Sequence, residues 1–555
     1  MRIWRIETLA ALGLVVSALL AACKPALSPS TPPSGSTTPP GINRGTTSTA
    51  TAPTGPYGDL RIAVATWGEE RFEPPLVTAT GHVVLNPIFD WMIRADKGQM
   101  TPGAIEKWVM APDGLSWTYS VRKGMKFHNG DQLTARDVKF SFDQYMRKDA
   151  FFSNTTSAVN RVDVVDDNTV KIFTKGVQPY LPTLQSVASV LQGLVMPKSY
   201  VESNGWQYAS AHPVGSGPFK FVSHAGGDSV TYQANDSYWA GAPAFKNLAL
   251  ILMPEETTRV ATVRTGVVDI AEINLDSVPQ LEAAGFRTAA VDQTEIAVQL
   301  HGTYDSRAAK SAVADIRVRK ALSISINREE IMSTFFRGKA GPPMPPYTTE
   351  STMEIDVSYW KKYVADLYSY DPEQAKQLLK EAGYPNGFSL KLYSFPVSGT
   401  PWLPKVFEII AGYWSKIGVK PEIVPIDLAV WTSWRKGPAE PLVGQSIMMR
   451  FPGGNSAPRS LELPFSTKQA NALVSGANPE LDKLIDAIYA EPDANKRKEI
   501  IARGLKMGID TYTVFEICSA PSMLGLGPRV DLSSWSLPLA APQFTAFAGY
   551  IKHER

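Results

Sequence analysis

Residues 24–56 are Pro, Ser, Thr, Gly and Ala with almost no large apolar side chain. Such a stretch cannot bury enough surface to offset the entropy of ordering it, so a packed core can only begin after it. It reads as a tether, held semi-extended by its prolines. Ahead of it come Arg2 and Arg5, an apolar run over residues 9–20 broken by Gly13 and Ser17, and the small residues Ala21 and Ala22. That charged, apolar, small-residue order is the order of an export signal. The run is too short for a bilayer core, which takes roughly 20 residues.

Leu20-Ala21-Ala22-Cys23 also resembles the processing box of bacterial lipoproteins. The resemblance implies that the Cys23 thiol is acylated and becomes the new N-terminus. Several acyl chains on one cysteine would anchor the body stably to a membrane surface.

The body, residues 57–555, is long enough for two or three domain-sized cores. The whole chain carries a formal charge of +2, which argues against a nucleic-acid partner needing a basic stripe. Cys518 lies in the apolar run Val514-Phe515-Glu516-Ile517 and reads as a buried free thiol. None of the histidines shows a metal-ligand spacing. There is no nucleophile elbow and no phosphate loop. No catalytic residue, metal or cofactor is expected, and the chain is not expected to be an enzyme. An exported hydrolase stays open only as a disfavoured alternative.

Along the body, alternation predicts a first strand over residues 59–65, followed by the polar loop Thr66-Trp67-Gly68-Glu69-Glu70-Arg71 with an exposed tryptophan. Residues 115–122 alternate as a strand, two turns follow, and Thr134 with Asp137 forms a capping box. Residues 162–173 read as a hairpin turning at Asp166-Asp167-Asn168, and residues 217–232 as two strands around Gly226-Gly227. After about residue 300 the texture becomes helix-rich. Asp315, Asn327 and Asp371-Pro372 each start a helix, and strands over 388–393 and 421–426 alternate with a helix over 405–417. That alternation predicts crossover units on a sheet.

The run from Trp117 through Gly124, Phe127, His128, Gly130, Thr134 and Asp137 to Phe140 closely resembles the signature of the bacterial family-5 extracellular solute-binding proteins, the dipeptide, oligopeptide and nickel group. Val214-Gly215-Ser216-Gly217-Pro218, the stretch 259–270, the helix pair over 315–331 and the segment 370–388 resemble further family elements in order. The resemblance implies an α/β, two-lobed periplasmic-binding-protein-like fold with an extra subdomain in the first lobe and two hinge crossings. The expected division is 1–22 signal, 23–56 disordered tether, 57–300 first lobe with a subdomain at about 97–210, 301–519 second lobe and 520–555 return to the first. It also implies the extracytoplasmic binding component of an ABC transporter, taking a peptide or peptide-like small polar ligand between its lobes. The expected partners are permease and ATPase subunits and a membrane reached through the lipid anchor, with the body facing the periplasm or cell exterior as a monomer. An oligosaccharide, a metal chelate or haem, or a sensory role for the lipoprotein are the alternatives.

The loop after the first strand is expected to face the ligand. Trp67 would stack on it, Glu69 or Glu70 would pair with an ammonium, and Arg71 would pair with a carboxylate. Each of these is equally open to a structural or solvated role. From the other lobe, Trp402, Trp431 and the segment Arg450 to Asn455 are candidates, with Trp434 as the second member of a helical pair. Peptide-binding relatives carry an aspartate in that segment to hold a free amine. Here Phe451-Pro452-Gly453-Gly454-Asn455 has no acid. An ammonium buried there would lack a countercharge, and Arg450 would instead suit an acid group or serve a structural ion pair.

Overall fold

The computed structural model describes residues 55–555 apart from 69, 79–80, 97–98, 152, 188–191, 304–305, 351, 396–399, 401, 435–439, 453–455, 469–475, 534–547, 550 and 555. The export signal, Cys23 and the tether lie outside the described residues.

A ten-stranded sheet runs through the body. In spatial order its strands are Lys420–Pro425, Ser389–Ser394, Ser446–Pro452, Arg287–Leu300, Val514–Leu526, Ile270–Ile273, Asp59–Val64, Asn247–Leu252, Ser229–Ala234 and Phe219–Ala225. The two long central strands pair antiparallel, from Arg287 opposite Leu526 to Gln299 opposite Val514. The first half of this ribbon pairs onward to Ile270–Ile273, through Leu526 to Met523. The second half pairs onward to Ser446–Pro452, through Thr294 to Leu300. The two strands therefore carry the chain between lobes. The register shifts between Val291 and Gln293 and again between Ile296 and Ala297, irregularities of the kind that bend a ribbon and raise its twist.

Three cores form around this sheet. Leu60, Ile62, Phe219, Tyr232 and Leu250 centre the first lobe. Tyr119, Phe142, Val170 and Ile172 fill a subdomain built on a four-stranded sheet. Trp360, Phe407, Trp414 and Phe515 anchor the second lobe, whose core continues under the ribbon to Val263 and Leu281.

Local chemistry explains the element boundaries. Thr134 and Asp137 close a reciprocal capping box at the start of Ala135–Tyr145, with the Thr134 N–H donating to Asp137 at 2.9 Å. Asp371 caps Pro372–Glu381 by accepting from the Gln374 N–H at 2.8 Å. A Cβ on Gly215 would lie 2.0 Å from the Ile88 carbonyl oxygen, so only glycine lets the return strand pass there.

His128 clamps the same passage. Its Nε2 is 3.0 Å from the Gly217 carbonyl, and the Gly215 N–H lies 3.4 Å from its Nδ1. Burial pushes the imidazole down to about 4. The folded form keeps it neutral, whereas the unfolded chain protonates below about 6.5. His128 should therefore contribute its full stability above that value and lose it as pH falls toward about 4. The difference in urea midpoint between the protein and His128→Gln should shrink by an amount worth about 2 kcal/mol between neutral pH and the low end of that window.

Asp269 joins the returning chain to the first lobe. One oxygen accepts the Arg61 N–H at 2.8 Å, and the other takes a two-nitrogen contact from Arg529. Asp269→Ala should lower the unfolding free energy by about 2–3 kcal/mol in a urea titration, because it orphans a buried donor and releases Arg529.

Candidate functional site

The first strand ends at Val64, and the chain turns away at the strand's carboxyl end, where open α/β sheets place ligands. The Ala65 N–H donates to the buried Glu272 carboxylate at 2.8 Å. Burial pushes Glu272 up, while that N–H and the Arg259 and Arg450 charges pull it back. Arg259 fixes the surrounding carbonyls, donating to Glu272 at 2.7 Å and to Met253 and Pro254 at 2.6 and 2.7 Å. Arg450 lies on Ser446–Pro452, opposite Ile296 of the ribbon. Its charge thus acts from the second-lobe strands on the carboxylate that holds the first-lobe loop.

Trp67 is not exposed as expected. It is 2% accessible and belongs to the first-lobe core. Its Nε1 donates to Glu70 at 3.0 Å, and Glu70 also meets His224 Nε2 at 3.0 Å and the Gly227 N–H at 3.0 Å. These bonds strap the loop to the turn between Phe219–Ala225 and Ser229–Ala234. They also hold the Glu70 carboxyl below its ordinary range, chiefly through the Trp67 indole N–H. Arg71 is exposed. Glu69 lies outside the described residues.

On the second lobe, Trp402 is buried at the start of Leu403–Lys416, edge-on to Phe336 at 4.9 Å. Trp431 is buried and stacks on Phe395 at 5.5 Å, while Trp434 is half-buried, edge-on to Tyr393 at 5.3 Å. Asn455 lies outside the described residues, as do the side chains of Phe451 and Pro452. The structure brings Arg450 into electrostatic range of the first-lobe loop's support. It packs Trp67, Trp402 and Trp431 into hydrophobic cores.

Sequence reading passed over three buried carboxylates: Glu272, Glu295 and Glu516. Glu516 is fully buried, pushed well up by burial and then by the Glu295 charge, while Arg328 opposes the shift. The available signal was an acid in the middle of an apolar strand, which burial alone makes unusual. Among the described residues no group of three His, Cys, Asp or Glu is placed to hold a metal, and no helix is long and apolar enough to cross a membrane.

Residues 99–461 match the model of the bacterial extracellular solute-binding proteins, family 5 Middle. The chain belongs to that family. This solute-binding protein is 27% identical over 484 residues to heme-binding protein A of Haemophilus influenzae, covering 80% of its own length and 83% of the relative's. It is 26% identical over 474 residues to the dipeptide-binding protein of Escherichia coli, covering 78% and 84%. Among solved structures it resembles MoaA from A. tumefaciens R10 in complex with mannopinic acid, with a TM-score of 0.73 and 22% identity over 90% of this chain and 100% of that one. That likeness carries the two-lobed fold.

Removing the Glu70 carboxylate should loosen the strap without touching Arg450. Glu70→Ala is expected to cost about 1–2 kcal/mol in a urea titration, with a shift in tryptophan emission as the indole loses its acceptor.

Proposed function

We propose that this protein is the substrate-binding component of an ABC importer, exported, lipid-anchored through Cys23 and facing the periplasm or cell exterior. It would take a peptide or peptide-like small polar ligand between its lobes and present the closed form to a permease and its ATPase. The observation that carries the reading is the bulged two-strand ribbon whose flanking strands lead into the two lobes, with the loop after Asp59–Val64 on one side and Arg450 on the other. A ligand that touches both walls only when they meet shifts the population toward the closed state by its differential affinity. The dipeptide-binding relative supports the peptide reading. The proposed contacts are Arg71 and the Trp67–Glu70 loop from the first lobe, with Trp402, Trp431 and Arg450 from the second. Glu69 and Asn455 complete the set.

A second reading is a non-peptide acid. Arg450 stands in the segment that carries no acid, and a fold neighbour was solved with mannopinic acid. A guanidinium recognises a carboxylate with two parallel bonds. Native mass spectrometry of the protein isolated from its own host separates the readings: a ladder of peptide masses supports the first and a single acid mass the second. Arg450→Ala should weaken binding of the retained ligand by roughly tenfold or more, beyond any fall in the unfolding midpoint from loss of its support for the buried Glu272 carboxylate. Unchanged affinity would remove Arg450 from the site, and a protein that never carries or takes up a small molecule would refute the transport reading.

A further inference from the structure

Tyr180 has its backbone in one lobe and its side chain against the other. The preceding Gln178 carbonyl accepts from Trp117 Nε1 at 2.9 Å, and the following Leu181 packs in the subdomain core with Tyr119 and Phe142. The Tyr180 ring instead joins the second-lobe core. Its hydroxyl donates to Glu354, its ring meets Tyr489 edge-on at 6.0 Å, and the Arg497 guanidinium lies 5.7 Å from its centroid.

The receiving group is prepared within the second lobe. Arg497 donates to Glu354 from Nε at 3.1 Å and from a second nitrogen to the other oxygen. The same guanidinium donates to the Glu491 and Pro492 carbonyls at 2.8 and 2.7 Å. The side chains of Arg497 and Glu354 are only 9% and 16% accessible. Glu354 has φ 63, a left-handed conformation that a residue with a Cβ keeps only when its surroundings impose it. Burial, and then the hydrogen bond to Glu354, push the Tyr180 phenol upward, so it remains a donor. A second contact between the lobes, Lys405 with Asp276 at 2.9 Å, is more than 60% exposed on both sides and adds little.

We propose that Tyr180 is the bolt of a latch that holds the two lobes shut, with the Glu354–Arg497 pair as its catch. The latch rests on the reading that the lobes open and close. Parting them would free only a neutral phenol, while the ion pair stays intact in the second lobe, so no charge is stranded and the latch is reversible. A hydrogen bond to a charged, largely desolvated acceptor is also among the stronger contacts available to a neutral donor.

The test is single-molecule energy transfer between dyes on Val222→Cys and Glu373→Cys, exposed positions in opposite lobes, in the full chain carrying Cys23→Ser; Cys518 is buried. The protein is measured as purified and after its ligand has been stripped by unfolding, dialysis and refolding. In the stripped protein, Tyr180→Phe should lower the closed-to-open ratio roughly tenfold. Glu354→Gln should lower it in the same direction, while Asp276→Asn should leave it nearly unchanged. Tyr180→Phe keeps the ring and the whole ion pair, and Glu354→Gln keeps the tyrosine, so two independent lesions probe one contact. A ratio unchanged by both overturns the latch. One transfer efficiency in the wild-type protein, identical before and after stripping, overturns the opening and closing itself.

Discussion

Every residue of Val514–Leu526 is buried, and its pairing with Arg287–Leu300 runs nearly the full length of both strands. Among the described residues no longer strand is shared by the two lobes. Strands on one side of the ribbon reach the first-lobe core through Ile270–Ile273, and strands on the other reach the second through Ser446–Pro452. Paired backbone cannot stretch, but a ribbon bends and twists most easily at its irregularities. The register shift at 291–293 lies between the points where the flanking strands leave the ribbon, and the one at 296–297 lies within the stretch that pairs with Ser446–Pro452. Motion there would rotate one lobe against the other and shift the part of the core that runs beneath the ribbon to Val263 and Leu281, a hinge of the kind by which two-lobed binding proteins close.

The ribbon also carries an electrostatic cost. Glu295 and Glu516 come from its two strands, and both are buried. Arg328 is pushed down to about 10 by burial, its Nε donating to the Glu516 backbone carbonyl at 2.7 Å. Like charges so close and so dry cannot both ionise easily, so burial and repulsion favour a protonated member. A hydrophobic pair would be cheaper, which makes these acids a feature of the crossing that packing alone does not explain.

Much of the architecture was legible because its signals are local. Thr134 and Asp137 are three residues apart, Asp371 and Pro372 adjacent, and the Asp166–Thr169 turn closes its own hairpin, so each boundary could be read from neighbours. The family signature then supplied the two-lobed topology. What escaped depends on partners far along the chain. Trp67 read as exposed because its neighbours are polar, yet its loop is held by His224 and Gly227, from a hairpin more than 150 residues later. Glu272 gained its role from Ala65, 207 residues earlier. Trp431 and Trp434 share a helical face in sequence, but only packing on Phe395 decides that Trp431 is the buried one.

Solution scattering tests the central claim most directly: that two bodies on one bent ribbon shut around a small molecule. The same preparation would be measured after its ligand is stripped and again after the extracted ligand is returned. The account predicts a larger radius of gyration in the stripped protein and a return to the compact curve on reloading. Superimposable curves in the two states, with ligand binding verified by mass, would contradict it.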